Sequence, residues 1–345
     1  MTSIDSAGAP APKPRTRMRK RVALILLGFS IAASCALAAW TRHLARQAEL
    51  DYPELGHRVA VDGLAMHYVE RGSGAPVVLL HGAFGALEDY TATIFDPLAR
   101  NHRVIAIDRP GHGYSERPAD ETCTPQVQAQ IVHAMLKQLG VQRPVLVGFS
   151  WSGALVLAYA LEFPDEIAGL VTINGVSHPW PGTTSPLYYL PALPLIGPLF
   201  THTLVMPIGR YTMRTSIERA FDPETPPLLF NSSPVRLELR PASFAANAED
   251  IRVLRDSVRA ESPHYGEIAV PLVIVVGESD KIVTPTLHSH ALHDEVPGSE
   301  LVSIPDAGHQ LLYSHPKAIL NAIDRAERMA EERDESSKLT RSAAK

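Results

Sequence analysis

The chain has 345 residues, 45% of them hydrophobic, and a formal net charge of -5. That length and apolar content support one large core, and two cysteines leave no disulfide framework. The charge is unevenly placed: residues 1–46 hold eight of the 32 Lys and Arg but one of the 37 Asp and Glu, so the remaining body is acidic and argues against nucleic acid as a partner.

At the N-terminus, Lys13, Arg15, Arg17, Arg19, Lys20 and Arg21 precede Val22–Trp40, 19 residues without a charge. At about 1.5 Å per residue this run is about long enough to cross a hydrocarbon core of roughly 30 Å. It reads as a membrane-spanning helix over residues 22–40 behind a basic cytoplasmic tail over residues 1–21. The excess of Lys and Arg before it puts the large domain on the extracytoplasmic side, the periplasm in a bacterium. A cleaved secretory signal is the alternative, since Ala36-Leu37-Ala38 has the spacing of a signal-peptidase site, and it would make the protein secreted. The length of the basic region favours retention. Ala33-Ser34 before Cys35 is a poor match to a lipid-attachment site. Residues 41–56 are polar and read as a tether.

From His57 to Arg71 apolar and polar residues alternate around Asp62-Gly63, the pattern of an antiparallel hairpin. Apolar runs follow at Val77–Leu80, Val104–Ile107, Val145–Val147 and Leu170–Ile173, mostly separated by segments long enough for crossover helices. Such alternation predicts the α/β class, with a mostly parallel sheet covered on both faces. Val145-Leu146-Val147-Gly148-Phe149-Ser150-Trp151-Ser152-Gly153 is an apolar run ending in a small-residue turn with a serine at its tip, followed by a helix over Ala154–Phe163 that stops before Pro164. This arrangement exposes a hydroxyl to substrate. A serine hydroxyl needs a base to take its proton and a third group to orient that base. Val273–Val276 breaks at Gly277 and places Asp280 beyond the strand, and Leu301–Ile304 is followed by Asp306-Ala307-Gly308-His309. The order Ser150, Asp280, His309 is that of one serine-hydrolase architecture and of neither common protease order.

With these motifs the chain resembles the α/β-hydrolase family from about His57 to about Ala326. His81-Gly82-Ala83-Phe84-Gly85 looks like the family's loop after the third strand, and Asp108-Arg109-Pro110-Gly111-His112-Gly113-Tyr114-Ser115 is similar to its structural Asp-x-x-Gly-x-Gly-x-Ser segment. The resemblance implies Ser150 as nucleophile, Asp280 and His309 as the other triad members, and the backbone N–H groups of Ala83 and Trp151 as the oxyanion hole. It also implies no metal and no cofactor. Ser152 stands where the family commonly has glycine.

Each residue has a plainer reading. Asp280 followed by Lys281-Ile282-Val283 reads equally as a turn-former or helix cap. Asp306 is a rival acid, but three residues before His309 it is better placed to fix their shared loop. His112, His288, His290 and His293 read as surface or packing residues, and His81 as support for its loop. Residues 177–267 break the strand-helix rhythm with prolines and long apolar side chains, where the family inserts a helical cap. Such a cap gives the site apolar walls, and near an anchor its surface could enter the lipid. The core is expected over 57–176 and 268–326, and residues 327–345 as a charged, frayed tail.

The function expected is a membrane-anchored hydrolase of a carboxylic ester with a hydrophobic acyl group, acting through an acyl-enzyme. Hydrolysis of a carbon–carbon bond and use of hydrogen peroxide as acyl acceptor are the rivals on the same fold. A tethered protein that holds a ligand without turnover, or a lipid-interacting structural protein, is the rival from another class.

Overall fold

The computed structural model describes residues 14–228, 230 and 234–343. Residues 1–13 of the expected basic tail, and 344–345 of the C-terminal one, lie outside them. One eight-stranded sheet organises the fold: β1 (His57–Val61), β2 (Leu64–Arg71), β3 (Ala75–Leu80), β4 (His102–Ile107), β5 (Val145–Phe149), β6 (Gly169–Ile173), β7 (Leu272–Gly277) and β8 (Glu300–Ile304), in the order β1-β2-β4-β3-β5-β6-β7-β8. β2 pairs antiparallel with both β1 and β4, and every pairing from β4 to β8 is parallel.

The local chemistry explains this topology. Asp62 and Gly63 both take positive φ, 50° and 87°, which is what a two-residue turn matching strand twist requires. β5, β6 and β7 are buried along their whole length, so apart from Thr172 their runs are continuously apolar instead of alternating. Crossover helices cover both faces. Pro125–Gln138 begins with the Thr124 hydroxyl accepting the Val127 N–H and with proline at its first position. It packs with helix Ser152–Glu162 on one face, while Pro316–Ala343 closes the other.

Between β6 and β7 the chain leaves the sheet for a helical insertion, which includes Pro186–Ala192, Ile196–Phe200, the π-helical turn Thr201–Val205, Met206–Phe221 and Pro241–Glu261. Its last helix ends in Glu261, whose carboxylate is buried and pushed up to about 8 by desolvation, with the Gln126 side chain offsetting only part of that shift. An unfolded glutamate loses its proton near 4.5. Between these values unfolding releases a proton, so raising the pH favours unfolding. Stability is therefore expected to fall as pH rises from about 4.5 to about 8, and Glu261→Gln to flatten that fall. Urea midpoints of the two proteins across this range check it, and parallel profiles would refute it.

Two segments differ from expectation. The N-terminal helix is continuous from Pro14 to Asp51, so it starts inside the basic cluster and replaces most of the expected 41–56 tether. Thr41 and Ala48 are buried, and Ala48 packs with Met206 and Leu237 of the insertion. The polar sequence here is one wet face of a docked helix. Likewise residues 327–343 extend the helix begun at Pro316, instead of fraying. Asp334 is held there by a two-bond ion pair with Arg143, 2.6 and 2.9 Å.

Candidate active site

The turn after β5 places Ser150 at φ 53°, a left-handed conformation that costs a non-glycine residue about 1–3 kcal/mol. The surroundings over-determine it. Ser150 N–H donates to the Ile173 carbonyl at 2.9 Å, and the Ser150 carbonyl accepts from Gly153 and Val176, each at 2.9 Å. Gly148 is required, since a Cβ there would lie 2.4 Å from the Ser152 carbonyl oxygen. Ser152, the departure from the family's glycine, has a partner of its own: its hydroxyl donates to the His81 carbonyl at 2.5 Å, joining the β5 turn to the loop after β3.

The three residues singled out from separate parts of the sequence meet. His309 Nε2 lies 2.9 Å from Ser150 Oγ, and His309 Nδ1 lies 2.6 Å from Asp280 Oδ2. All three are buried, Ser150 the least, at 8% exposure. Asp280 also fills the turn-forming role, with its other oxygen. Oδ1 accepts the N–H groups of Ile282 and Val283 at 2.7 and 3.0 Å, which fixes the carboxylate while Oδ2 faces the imidazole. With Asp280 at Nδ1, a neutral imidazole carries its proton there and turns the Nε2 lone pair to the serine hydroxyl. Asp306 is exposed, at φ 55° in the turn after β8, and makes no such contact.

The insertion also holds the histidine: His309 N–H donates to the Ala220 carbonyl at 2.9 Å. Asn174, just past β6, connects the two loops. Its amide donates to the carbonyls of Gly308 and His309 at 3.1 and 3.0 Å and accepts from Gly277 N–H at 2.8 Å. Sequence reasoning missed Asn174, although an Asn-Gly pair directly after an apolar strand was a readable signal.

The loop after β3 lies against the serine, where a Cβ at Gly82 would sit 2.9 Å from Ser150 Cβ. His81 is fully buried, and burial with the nearby Arg109 charge pushes its pKa well down. It is therefore neutral, with Nδ1–H donating to the Gly82 carbonyl and Nε2 accepting the Arg109 N–H at 3.0 Å. Phe84 N–H donates to Asn247 Oδ1 of the insertion at 2.8 Å. The Phe84 ring meets Tyr188 and Phe244, and Phe244 meets Phe200, at centroid distances of 6.0–6.4 Å. Three aromatic side chains of the insertion thus gather over this loop.

Below them lies a buried ionic network that sequence reasoning also missed. Asp250 receives Arg109 at 2.6 Å, Arg117 at 2.8 Å, His112 at 2.9 Å and Gln128 at 3.0 Å. Despite its burial, the Arg109 and Arg117 charges hold its carboxyl well below the usual range. Arg109 also stacks 4.1 Å from the Trp151 ring, whose Nε1–H donates to the Asp250 carbonyl. His112 is no surface residue, since its other nitrogen meets Glu238 at 2.8 Å. His288 is buried as well, its Nδ1 accepting the backbone N–H groups of Ser177 and His178, whereas His290 pairs with Glu278 and His293 with Ser299.

A mostly parallel sheet with a serine on the tight turn after a central strand, and a histidine and an aspartate delivered to it from the loops after β8 and β7, defines a hydrolase of the α/β type. Residues 75–316 match the family model described as the alpha/beta hydrolase fold, and the chain belongs to that family. Among curated relatives, 2-hydroxymuconate semialdehyde hydrolase of Pseudomonas putida is 27% identical, over 79% of this chain and 94% of the relative. 2-Hydroxy-6-oxo-6-phenylhexa-2,4-dienoate hydrolase of Burkholderia cepacia is also 27% identical, over 73% of this chain and 87% of the relative. Among solved structures, a membrane phospholipase A described as a bacterial virulence factor superposes with a TM-score of 0.61 at 22% identity, covering 90% of this chain and 99% of that one. At that identity the likeness is one of fold.

Proposed function

We propose that this protein is a membrane-anchored serine hydrolase that cleaves a carboxylic ester of a hydrophobic acyl group through an acyl-enzyme on Ser150. The observation that carries this reading is the continuous relay from Ser150 Oγ through His309 to Asp280, at 2.9 and 2.6 Å. His309 takes the serine proton as Ser150 attacks the acyl carbon and gives it to the leaving alcohol. Water then repeats the sequence and frees the acid. Asp280 holds the imidazole tautomer and stabilises the imidazolium. The backbone N–H groups of Ala83 and Trp151 receive the oxyanion; each follows a residue fixed by the packing of Gly82 on Ser150. No metal or cofactor takes part in this scheme.

The anchor is the N-terminal helix, whose run from Met18 to Asp51 is long and apolar enough to cross a membrane. The basic residues at its start keep the N-terminus cytoplasmic and the hydrolase extracytoplasmic. The docking on the insertion begins at Thr41, beyond a cut after Ala38, so retention over cleavage rests on the length of the basic region before the apolar run.

The names of the two curated relatives favour a second reading, hydrolysis of a carbon–carbon bond in an oxo-dienoate. The aromatic side chains Tyr188, Phe200 and Phe244 over the loop after β3 suit an acyl chain better than a dienoate carboxylate. The test is a panel on the full-length protein in detergent: a fluorophosphonate probe, p-nitrophenyl esters from short to long acyl chains, and a 2-hydroxy-6-oxo-dienoate. We expect labelling, and ester turnover that rises with acyl length. Turnover of the dienoate alone would replace the ester reading, and absence of labelling in folded protein would remove the serine mechanism.

A further inference from the structure

The N-terminal helix has two parts with opposite surroundings. Its apolar run is exposed from Val22 to Ala32, whereas from Thr41 the helix is fastened to the insertion. Besides the Ala48 contact, Asp51 pairs with Arg236 at 2.8 Å and Glu49 with Arg240 at 3.3 Å. The Tyr52 carbonyl accepts the Tyr114 hydroxyl at 2.5 Å. Since the apolar run ends at Trp40 and the docking begins at Thr41, about 1.5 Å further along the axis, a helix that crosses the bilayer sets these parts of the insertion at headgroup level. No flexible spacer separates the two.

The insertion presents there a surface that water disfavours. Nine large apolar side chains between Leu187 and Tyr211 are exposed, against three outside both the N-terminal helix and the insertion among the described residues. They lie on Pro186–Ala192, Ile196–Phe200 and the stretch 201–221 that touches the N-terminal helix, together with the turn between them. Leu195 is 87% exposed and Tyr211 75%. Leu195 also sits at φ 64°, a left-handed conformation unfavourable for leucine, with its side chain directed away from the protein. Exposed apolar area concentrated on adjoining elements marks a site of association. The border of these elements with the helix is basic, where Arg42, Arg46 and Arg210 are exposed, and a groove of about 700 Å³ opens there between Leu44, Met206, Met213 and Leu239, lined also by Arg210 and by the paired Asp51 and Arg236. Apolar side chains bordered by cations complement a leaflet of acyl chains beneath anionic headgroups.

We infer that the insertion docks on the phospholipid leaflet that holds the N-terminal helix, with Leu195, Ile196, Leu199, Ile208 and Tyr211 entering the acyl region, and that the ester cleaved is an acyl lipid drawn from that leaflet. This rests on the anchored serine-hydrolase reading for its chemistry, but the docking is measured without turnover. Leu195, Tyr211 and, as a control, Ile282 on the core are replaced singly by cysteine in full-length protein carrying Cys35→Ser, with Cys123 buried. Each is labelled with an environment-sensitive fluorophore and reconstituted into vesicles of phosphatidylethanolamine and phosphatidylglycerol. Doxyl-labelled lipids are expected to quench the labels at positions 195 and 211 by more than half, and the label at 282 hardly at all. Equal, weak quenching at all three positions overturns the docking and leaves the serine chemistry standing. In the activity arm, Leu195→Asp with Leu199→Glu is expected to lower hydrolysis of vesicle phospholipid at least tenfold and to spare p-nitrophenyl butyrate. Aspartate tolerates the backbone at 195 better than leucine does, so a loss is not a folding defect of that turn. Unchanged vesicle hydrolysis, or an equal fall on both substrates, overturns the lipid-supply role. Absence of all ester turnover in wild-type protein, with quenching intact, would refute the serine-hydrolase reading and its acyl-lipid substrate, and leave the docking.

Discussion

Ser150→Ala is expected to lower kcat on a long-chain p-nitrophenyl ester by about 10⁵- to 10⁶-fold, with KM nearly unchanged. The size follows from the relay. His309 is aimed at Ser150 Oγ and Asp280 at His309, so removing the hydroxyl leaves the base with nothing to activate. Such residues act as a unit, so His309→Ala should fall by a similar factor and the double variant no further. Asp280→Asn should cost less, about 10⁴-fold, because an amide preserves shape but favours the wrong imidazole tautomer. A residue of about 10³- to 10⁴-fold acceleration over water should survive in the alanine variant if the Ala83 and Trp151 N–H groups hold the oxyanion. Steady-state kinetics with single-turnover controls read all of this. If Ser150→Ala kept even about a hundredth of wild-type activity, the geometry would belong to a protein that holds a ligand and the ester chemistry would lie elsewhere.

The parts of this site that were legible in sequence are those encoded within a few residues. A fully buried strand must be an unbroken apolar run, and a serine at its tip needs small neighbours, so β5 and Ser150 announce themselves together. Asp280 follows within three residues of β7, another such run, and His309 follows within five of β8, a short half-buried run. Residues whose roles depend on partners far along the chain were not legible. Arg109 lies in a glycine-rich turn, and nothing near it points to Asp250, 141 residues later. Asn174 acts through carbonyls and an N–H more than 100 residues away. The helix over Thr41–Asp51 looked like a tether because its buried side is mostly small, Thr41, Ala45 and Ala48, and only the docked insertion supplies the partner surface. The C-terminal helix looked like a frayed tail because its charges were read as solvated. Two of them, Glu327 and Asp334, instead pair with His102 and Arg143 of the body.

That distant network carries the other large effect. Asp250→Ala is expected to destabilise the protein by about 3–5 kcal/mol, the cost of removing one partner from a buried ion pair. Asp250 and Arg109 are both fully buried, so water cannot replace the lost carboxylate. Arg109 cannot escape by deprotonating: burial lowers its pKa, but a guanidinium starts far above neutrality. Arg117, Gln128 and His112 lose the same acceptor. Against the 5–15 kcal/mol typical of a folded domain, this is a large share, visible as a shifted urea midpoint with little change in slope. The pH dependence has a definite sign. Because the folded carboxyl titrates below its unfolded value, its stabilisation is present above the ordinary aspartate range and is lost as pH falls through the depressed folded value. Wild type should therefore lose stability towards acid, and the gap to Asp250→Ala should narrow there. The network also connects to the site, through Arg109 stacked on Trp151 and hydrogen-bonded to the His81 and Gly82 carbonyls. A variant kept folded at low temperature should accordingly lose kcat more than KM, since a loosened loop misplaces donors needed only in the transition state. A cost below about 1 kcal/mol would mean that Arg109 finds another acceptor, and that the insertion is held to the β3 loop by its aromatic contacts and Asn247 alone.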